Sequence, residues 1–170
     1  MTARTPLDSS PFHDLLIVDI GGTVASGYAG KLYADYGARV VNLEPPEGFS
    51  TRHIAPLLDN GTSAIHAYLH ANKQSVCCTD SVLTHPAILA ADLVILDLST
   101  LPTSLATDDF DTNVCAISWY GLTGPYAGFR GSDASIHALT GLMHGIGETD
   151  GPPIIPTGYQ AQVIGGLSAF

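Results

Sequence analysis

Apolar residues change their spacing several times along the chain, and each change marks an element. Leu15-Leu16-Ile17-Val18-Asp19-Ile20 is a continuous β-branched-rich run closed by Gly21-Gly22, the pattern of a strand buried on both faces of a parallel sheet. From Ala25 to Tyr36 the bulky positions Tyr28, Leu32 and Tyr36 recur every four residues among small ones, and Gly37 follows. This predicts a closely packed helix ending on a C-terminal glycine. Arg39-Val40-Val41-Asn42-Leu43-Glu44 returns to a strand pattern and stops at Pro45-Pro46. Residues 15–44 therefore read as a βαβ unit with a right-handed crossover.

The same alternation continues. A loop over 47–58 leads to a short helix at Thr62–Ala71, and Asn72–Thr79 turns into a third strand. A helical run at Ser81–Ala90 precedes a fourth strand at Asp92–Leu98, and Asn113–Trp119 makes a fifth. The expected fold is α/β: an open, mostly parallel, Rossmann-like sheet with helices on both faces. Such sheets bind ligands beyond the carboxyl ends of their strands. Those ends are 21–23, 44–46, 78–80, 97–99 and 121–133. The last is a glycine-rich stretch in which Arg130 and Ser132 stand beside backbone that can approach an anion closely. Ser132 or Asp133 then caps a helix over Ala134–His144, and Gly145–Pro153 makes a loop. An apolar segment, Val163–Phe170, reaches the last residue without cap or charged tail, so 1–170 is expected to be one domain cut at its C-terminal side inside an element.

Composition narrows the partners. With 170 residues, 45% hydrophobic and 13% charged, the chain suits a core-rich domain whose surface is small or partly covered by another chain. Six basic residues against sixteen acidic ones, net −10, exclude generic nucleic-acid or anionic-membrane binding, which needs basic surface. The polar stretch Met1–Ser10 has no apolar signal core, and no apolar run approaches the ~18 residues of a membrane span, so a soluble, cytoplasmic protein is expected. Cys77, Cys78 and Cys115 match neither a zinc spacing nor a disulfide framework. His66 and His70 stand four apart without a third ligand and are expected as exposed helix histidines, not a metal site. Glu44 ends the second strand as a ribose-binding acid would, yet Gly21-Gly22-Thr23-Val24-Ala25-Ser26-Gly27 is not the G-x-G-x-x-G fingerprint.

Taken together these strand ends resemble the class III CoA-transferase family, of the formyl-CoA transferase and carnitine CoA-transferase type, which includes the α-methylacyl-CoA racemases. The resemblance is carried by Asp19 through Glu44, by Glu44-Pro45-Pro46-Glu47-Gly48 with Thr51-Arg52, and by Asn72-Lys73-Gln74-Ser75. It is strongest over Ile117-Ser118, Gly121, Thr123-Gly124-Pro125-Tyr126, Gly131, Asp133, Leu139–Met143 and Gly147–Pro153. It covers essentially this whole chain but only the N-terminal portion of a family member. It implies coenzyme A or an acyl-CoA as substrate and no covalent cofactor. By position it places CoA contacts at Cys78 and Thr79, with Asp80 and Ser81, at Asp97 and Ser99 with Leu98, and at Arg130, Gly131, Ser132 and Asp133.

Family chemistry uses an aspartate that attacks the acyl-CoA thioester and forms a mixed anhydride. The resemblance places that residue on Gln162, whose neutral amide cannot be both nucleophile and leaving group. The racemase branch has a histidine where this chain has Ser132 and an aspartate where it has Gln162, so both racemase groups are missing. His137 and His144 are expected as packing or surface residues. The leading expectation is the CoA-binding part or subunit of a CoA-transferase homologue without its own catalytic aspartate, working as a homo-oligomer or with a companion chain carrying the rest. The alternatives are a non-catalytic acyl-CoA-binding subunit and, less favoured, a racemase-like isomerase.

Overall fold

The computed structural model describes residues 10–170, so all of the polar stretch Met1–Ser10 except Ser10 lies outside the described residues. Five strands form one sheet: β1 (Leu16–Asp19), β2 (Arg39–Glu44), β3 (Gln74–Cys77), β4 (Leu93–Asp97) and β5 (Asn113–Ile117). All pairings are parallel, in the order β3-β2-β1-β4-β5. The helices are α1 (Val24–Asp35), α2 (Ala64–Leu69), α3 (Pro86–Leu89), α4 (Asp133–Leu139) and α5 (Gln160–Ser168). The order of connection reverses between β1 and β4, which is where open α/β sheets leave a crevice.

Period-two alternation explains why both faces are covered. Val18, Val41, Leu43, Val94 and Leu96 pack with Ile88 of α3 and Phe110 on one side. Ile17, Val40 and Ile95 pack with Ala29 of α1 on the other. The first side stays apolar to the strand ends, whereas the second turns polar there: Asp19, Asn42, Glu44 and Asp97 continue the alternation of Ile17, Val40 and Ile95, and all four are buried. α5 lies directly on α1, because Gly166 brings the two backbones together; a Cβ at 166 would fall 2.5 Å from the Ala25 carbonyl oxygen.

Three helices are shorter than the apolar pattern predicts; α2 is Ala64–Leu69 within the expected 62–71, and the other two are interrupted. The run at 81–90 divides at Pro86, which has no N–H to continue a preceding turn: Val82–Thr84 is a 3₁₀ turn, and His85 then caps α3 by accepting from the Ala87 N–H at 3.1 Å. The helix expected to reach His144 stops at Leu139, because Gly141 takes φ 75° and starts a separate 3₁₀ turn at Leu142–His144.

Candidate functional site

At the β1/β4 crevice, short polar side chains tie the two strand ends together. Asp97 Oδ1 accepts from the Ser99 N–H at 2.8 Å and the Ser99 hydroxyl at 2.6 Å, and Oδ2 accepts from the Thr23 hydroxyl at 2.9 Å. Thr23 is the N-cap of α1, and Thr100 Oγ1 donates back to the Gly21 carbonyl at 2.6 Å. Asp19 Oδ1 accepts from the Gly21 N–H at 2.9 Å. Neither Thr23 nor Thr100 stands out in the apolar pattern, although a threonine directly after Gly21-Gly22 at a strand end is a usable signal.

α5 closes the crevice. Asp97, Ile117, Ser118, Trp119, Ala161 and Gln162 line a cavity of about 40 Å³ between the sheet end, α1 and α5. Asp133 fixes the roof: its Oδ1 accepts from the Ala161 N–H at 2.8 Å and the Gln162 N–H at 3.3 Å, and its Oδ2 accepts from Gln162 Nε2 at 3.1 Å. The cap of α4 is therefore Ser132, which accepts from the Ser135 N–H at 3.2 Å, while Asp133 serves the first turn of α5. Gly131 packs flat against Trp119, where a Cβ would overlap the indole ring. Arg130 is exposed and forms no hydrogen bond or ion pair among the described residues.

Of the sequence-predicted contacts, the structure gathers Asp97, Ser99, Ser132, Asp133 and Gln162 around the crevice. Thr79 is exposed at the end of β3, which sits three strand spacings from β4, about 14 Å. Its neighbour Cys78 turns its side chain into the apolar cluster beside α3, so Thr79 carries the accessible side chain there.

A second polar cluster lies under the same edge between α1 and α2. The Lys73 side chain is completely buried; Nζ donates to the Gly27 carbonyl at 2.8 Å and lies 3.7 Å from Asp19 Oδ2. Burial pushes the Asp19 carboxyl up and the Lys73 ammonium down, each opposed by the other's charge. Asn42 Nδ2 donates to His70 Nδ1 at 2.8 Å, which leaves His70 Nε2–H to donate to Thr51 Oγ1 at 3.2 Å and Thr51 to donate to His66 Nδ1 at 2.9 Å. Burial, reinforced by the Lys73 charge, pushes His70 down to about 3, and burial also lowers His66. The expectation of two exposed histidines is thus corrected: His66 is buried and His70 is hydrogen-bonded through both ring nitrogens, because the Thr51 turn folds over α2. Among the described residues no three His, Cys, Asp or Glu side chains converge as a metal site. His137 is also buried, as a packing residue on α4.

Glu44, the acid at a ribose-binding position by analogy with dinucleotide folds, is already saturated. Arg52 donates to it from Nε and Nη2, both at 2.6 Å; the Ser75 hydroxyl donates at 2.5 Å and the Phe49 N–H at 2.9 Å. Burial alone would raise its pKa, but these donors and the Arg52 charge outweigh it and hold the carboxyl at about 2.

A parallel open sheet with polar strand ends converging on a switch-point crevice defines an α/β protein of the doubly wound class. The family model described as CoA-transferase family III matches residues 12–79 and 114–170, and the chain belongs to that family. It is 28% identical to the succinate–glutarate CoA-transferase of Agrobacterium fabrum over 169 residues, covering 88% of this chain and 42% of that protein. It is 26% identical to the acetyl-CoA:oxalate CoA-transferase of Acetobacter aceti over 186 residues, covering 100% of this chain and 48% of that protein. Among solved structures, a CAIB/BAIF family protein from Brucella suis superposes with a TM-score of 0.80 at 29% identity, covering 94% of this chain and 47% of that one. The chain spans less than half the length of these relatives. No helix among the described residues is long and apolar enough to cross a membrane.

Proposed function

We propose that this chain binds a coenzyme A thioester along the carboxyl edge of the sheet, as the CoA-binding part of a class III CoA-transferase assembly that moves CoA between an acyl-CoA and a carboxylic acid. The observation that carries the reading is the division of labour along the edge. Arg130 stands unpaired among the described residues and suits a phosphate, Thr79, Ser99 and Ser132 carry hydroxyls, and the crevice of about 40 Å³ beside Asp97, Trp119 and Gln162 has room for a group the size of a carbonyl. The relatives named as succinate–glutarate and acetyl-CoA:oxalate CoA-transferases support an acyl-CoA as the substrate class.

The aspartate that the family resemblance requires falls on Gln162, which donates to Asp133 and supplies no nucleophile. That favours a second reading, a non-catalytic acyl-CoA-binding subunit. A racemase fits less well, since Ser132 and Gln162 stand where that branch has a histidine and an aspartate. The assembly itself is a homo-oligomer or a pair with a companion chain. Leu139, Ile164 and Leu167 stand more than half exposed on α4 and α5, a surface suited to the part of the family fold that the relatives carry in their additional length. Three free cysteines suit a reducing cytoplasm.

Calorimetry with CoA and acetyl-CoA, on the chain alone and with a candidate companion, tests the reading. Saturable binding that weakens in an Arg130→Ala variant is expected. No binding at millimolar ligand in either state overturns it.

A further inference from the structure

The resemblance leaves position 162 without a nucleophile, yet the crevice is not without a carboxylate. Asp97 lines the same cavity as Gln162 and is the acid among its lining residues. It ends β4 at the switch point, is 5% exposed, and borders Trp119 and the apolar side chain of Ile117. Its two oxygens are treated unequally. Oδ1 receives both Ser99 donors, whereas Oδ2 receives only the Thr23 hydroxyl and keeps one lone-pair site free. A cavity of about 40 Å³ admits a carbonyl group or a few waters, so only the reacting end of a thioester would reach this oxygen.

We propose that Asp97 is the carboxylate that captures the acyl group in this chain; this rests on the reading of the edge as a CoA-thioester site. Asp97 Oδ2 attacks the thioester carbonyl carbon, the carbon–sulfur bond breaks, and CoA leaves as its thiolate with the bonding pair. The product is a mixed anhydride between Asp97 and the acyl group, with no oxidation and no proton transfer. Thiolate attack on the Asp97 side-chain carbonyl then releases the free acid and leaves an aspartyl–CoA thioester. The Ser99 donors on Oδ1 stay in place as that oxygen becomes the anhydride carbonyl. Gln162 fits this arrangement. An aspartate at 162 would set a third acid beside Asp97 and Asp133, whereas the neutral amide donates to Asp133 Oδ2 and leaves Asp97 as the acid lining the cavity.

The test is covalent trapping on the whole chain. The protein is incubated with acetyl-CoA, quenched with hydroxylamine and mapped by peptide mass spectrometry, with CoA binding measured in parallel by calorimetry. The expected result is a hydroxamate on the Asp97 side chain of the unaltered protein, lost in Asp97→Asn and retained in Cys77→Ser. The cysteine control matters because acyl transfer to the exposed Cys77 thiol would leave no hydroxamate on the peptide. CoA binding without a hydroxamate on Asp97, or with one on Asp133 instead, overturns this proposal and leaves the binding reading standing. Absence of CoA binding overturns both. Because the hydroxamate is mapped on the unaltered chain, the outcome does not depend on the variant folding.

Discussion

Glu44 offers the sharpest quantitative test of the carboxyl edge, through the substitution Glu44→Gln. The carboxyl is 4% exposed and takes two donors from Arg52, one from Ser75 and one from Phe49. Its displacement from 4.5 to about 2 corresponds, at about 1.36 kcal/mol per pH unit, to a ceiling of ~3 kcal/mol. Arg52 is 41% exposed, so solvent screening lowers the expected figure to ~2 kcal/mol. The folded-state pKa lies below the unfolded one, so this stability is fully present above pH 4.5 and disappears as pH falls through about 2. Urea unfolding of both proteins from pH 7 down to pH 2 isolates the effect, because the other carboxylates titrate in both and cancel in the difference. The unaltered protein is expected to be ~2 kcal/mol more stable at pH 7, with the gap closing towards the acid end. A gap that is constant with pH, or absent at pH 7, refutes the assignment of Glu44 as a buried, donor-saturated carboxylate.

Other expectations follow from single contacts. Lys73→Met removes the cation facing Asp19 in a fully buried pair and is expected to cost ~3–5 kcal/mol in chemical denaturation, with part recovered in the double variant that also carries Asp19→Asn. Gly166→Val forces a Cβ into the Ala25 carbonyl; α5 is expected to detach, seen as rapid proteolysis within 160–168 while the sheet persists. Arg130→Ala is expected to leave the melting temperature within error and to weaken CoA binding about tenfold or more, since nothing in the described fold depends on that guanidinium.

The sheet was legible because its strands are continuous apolar runs broken by glycine, proline or an acid, and those breaks coincide with the strand ends that form the edge. Glu44 and Asp97 could be placed from the pattern alone. What the pattern could not supply was which residues meet across distance. His66 and His70 stand four apart as exposed helix residues would, yet Thr51, fifteen residues upstream of His66, hydrogen-bonds to both. In sequence Asp133 reads as a cap of α4 or a CoA contact, and its partners at Ala161 and Gln162 lie nearly thirty residues away. Likewise the apolar signal began at Val163, whereas α5 starts at Gln160 because Asp133 receives its first-turn amides.

The packing of α5 on α1 through Gly166 also sets an order of events in folding. The two helices lie towards opposite ends of the described chain, so their contact has a large sequence separation and is expected to form after the strands have paired. The strands can pair before that step, but the cavity between Asp97 and Gln162 cannot exist until it is complete. A refolding protein should therefore regain sheet signal before it regains ligand binding, and the lag between the two is a direct clock for the docking of one helix.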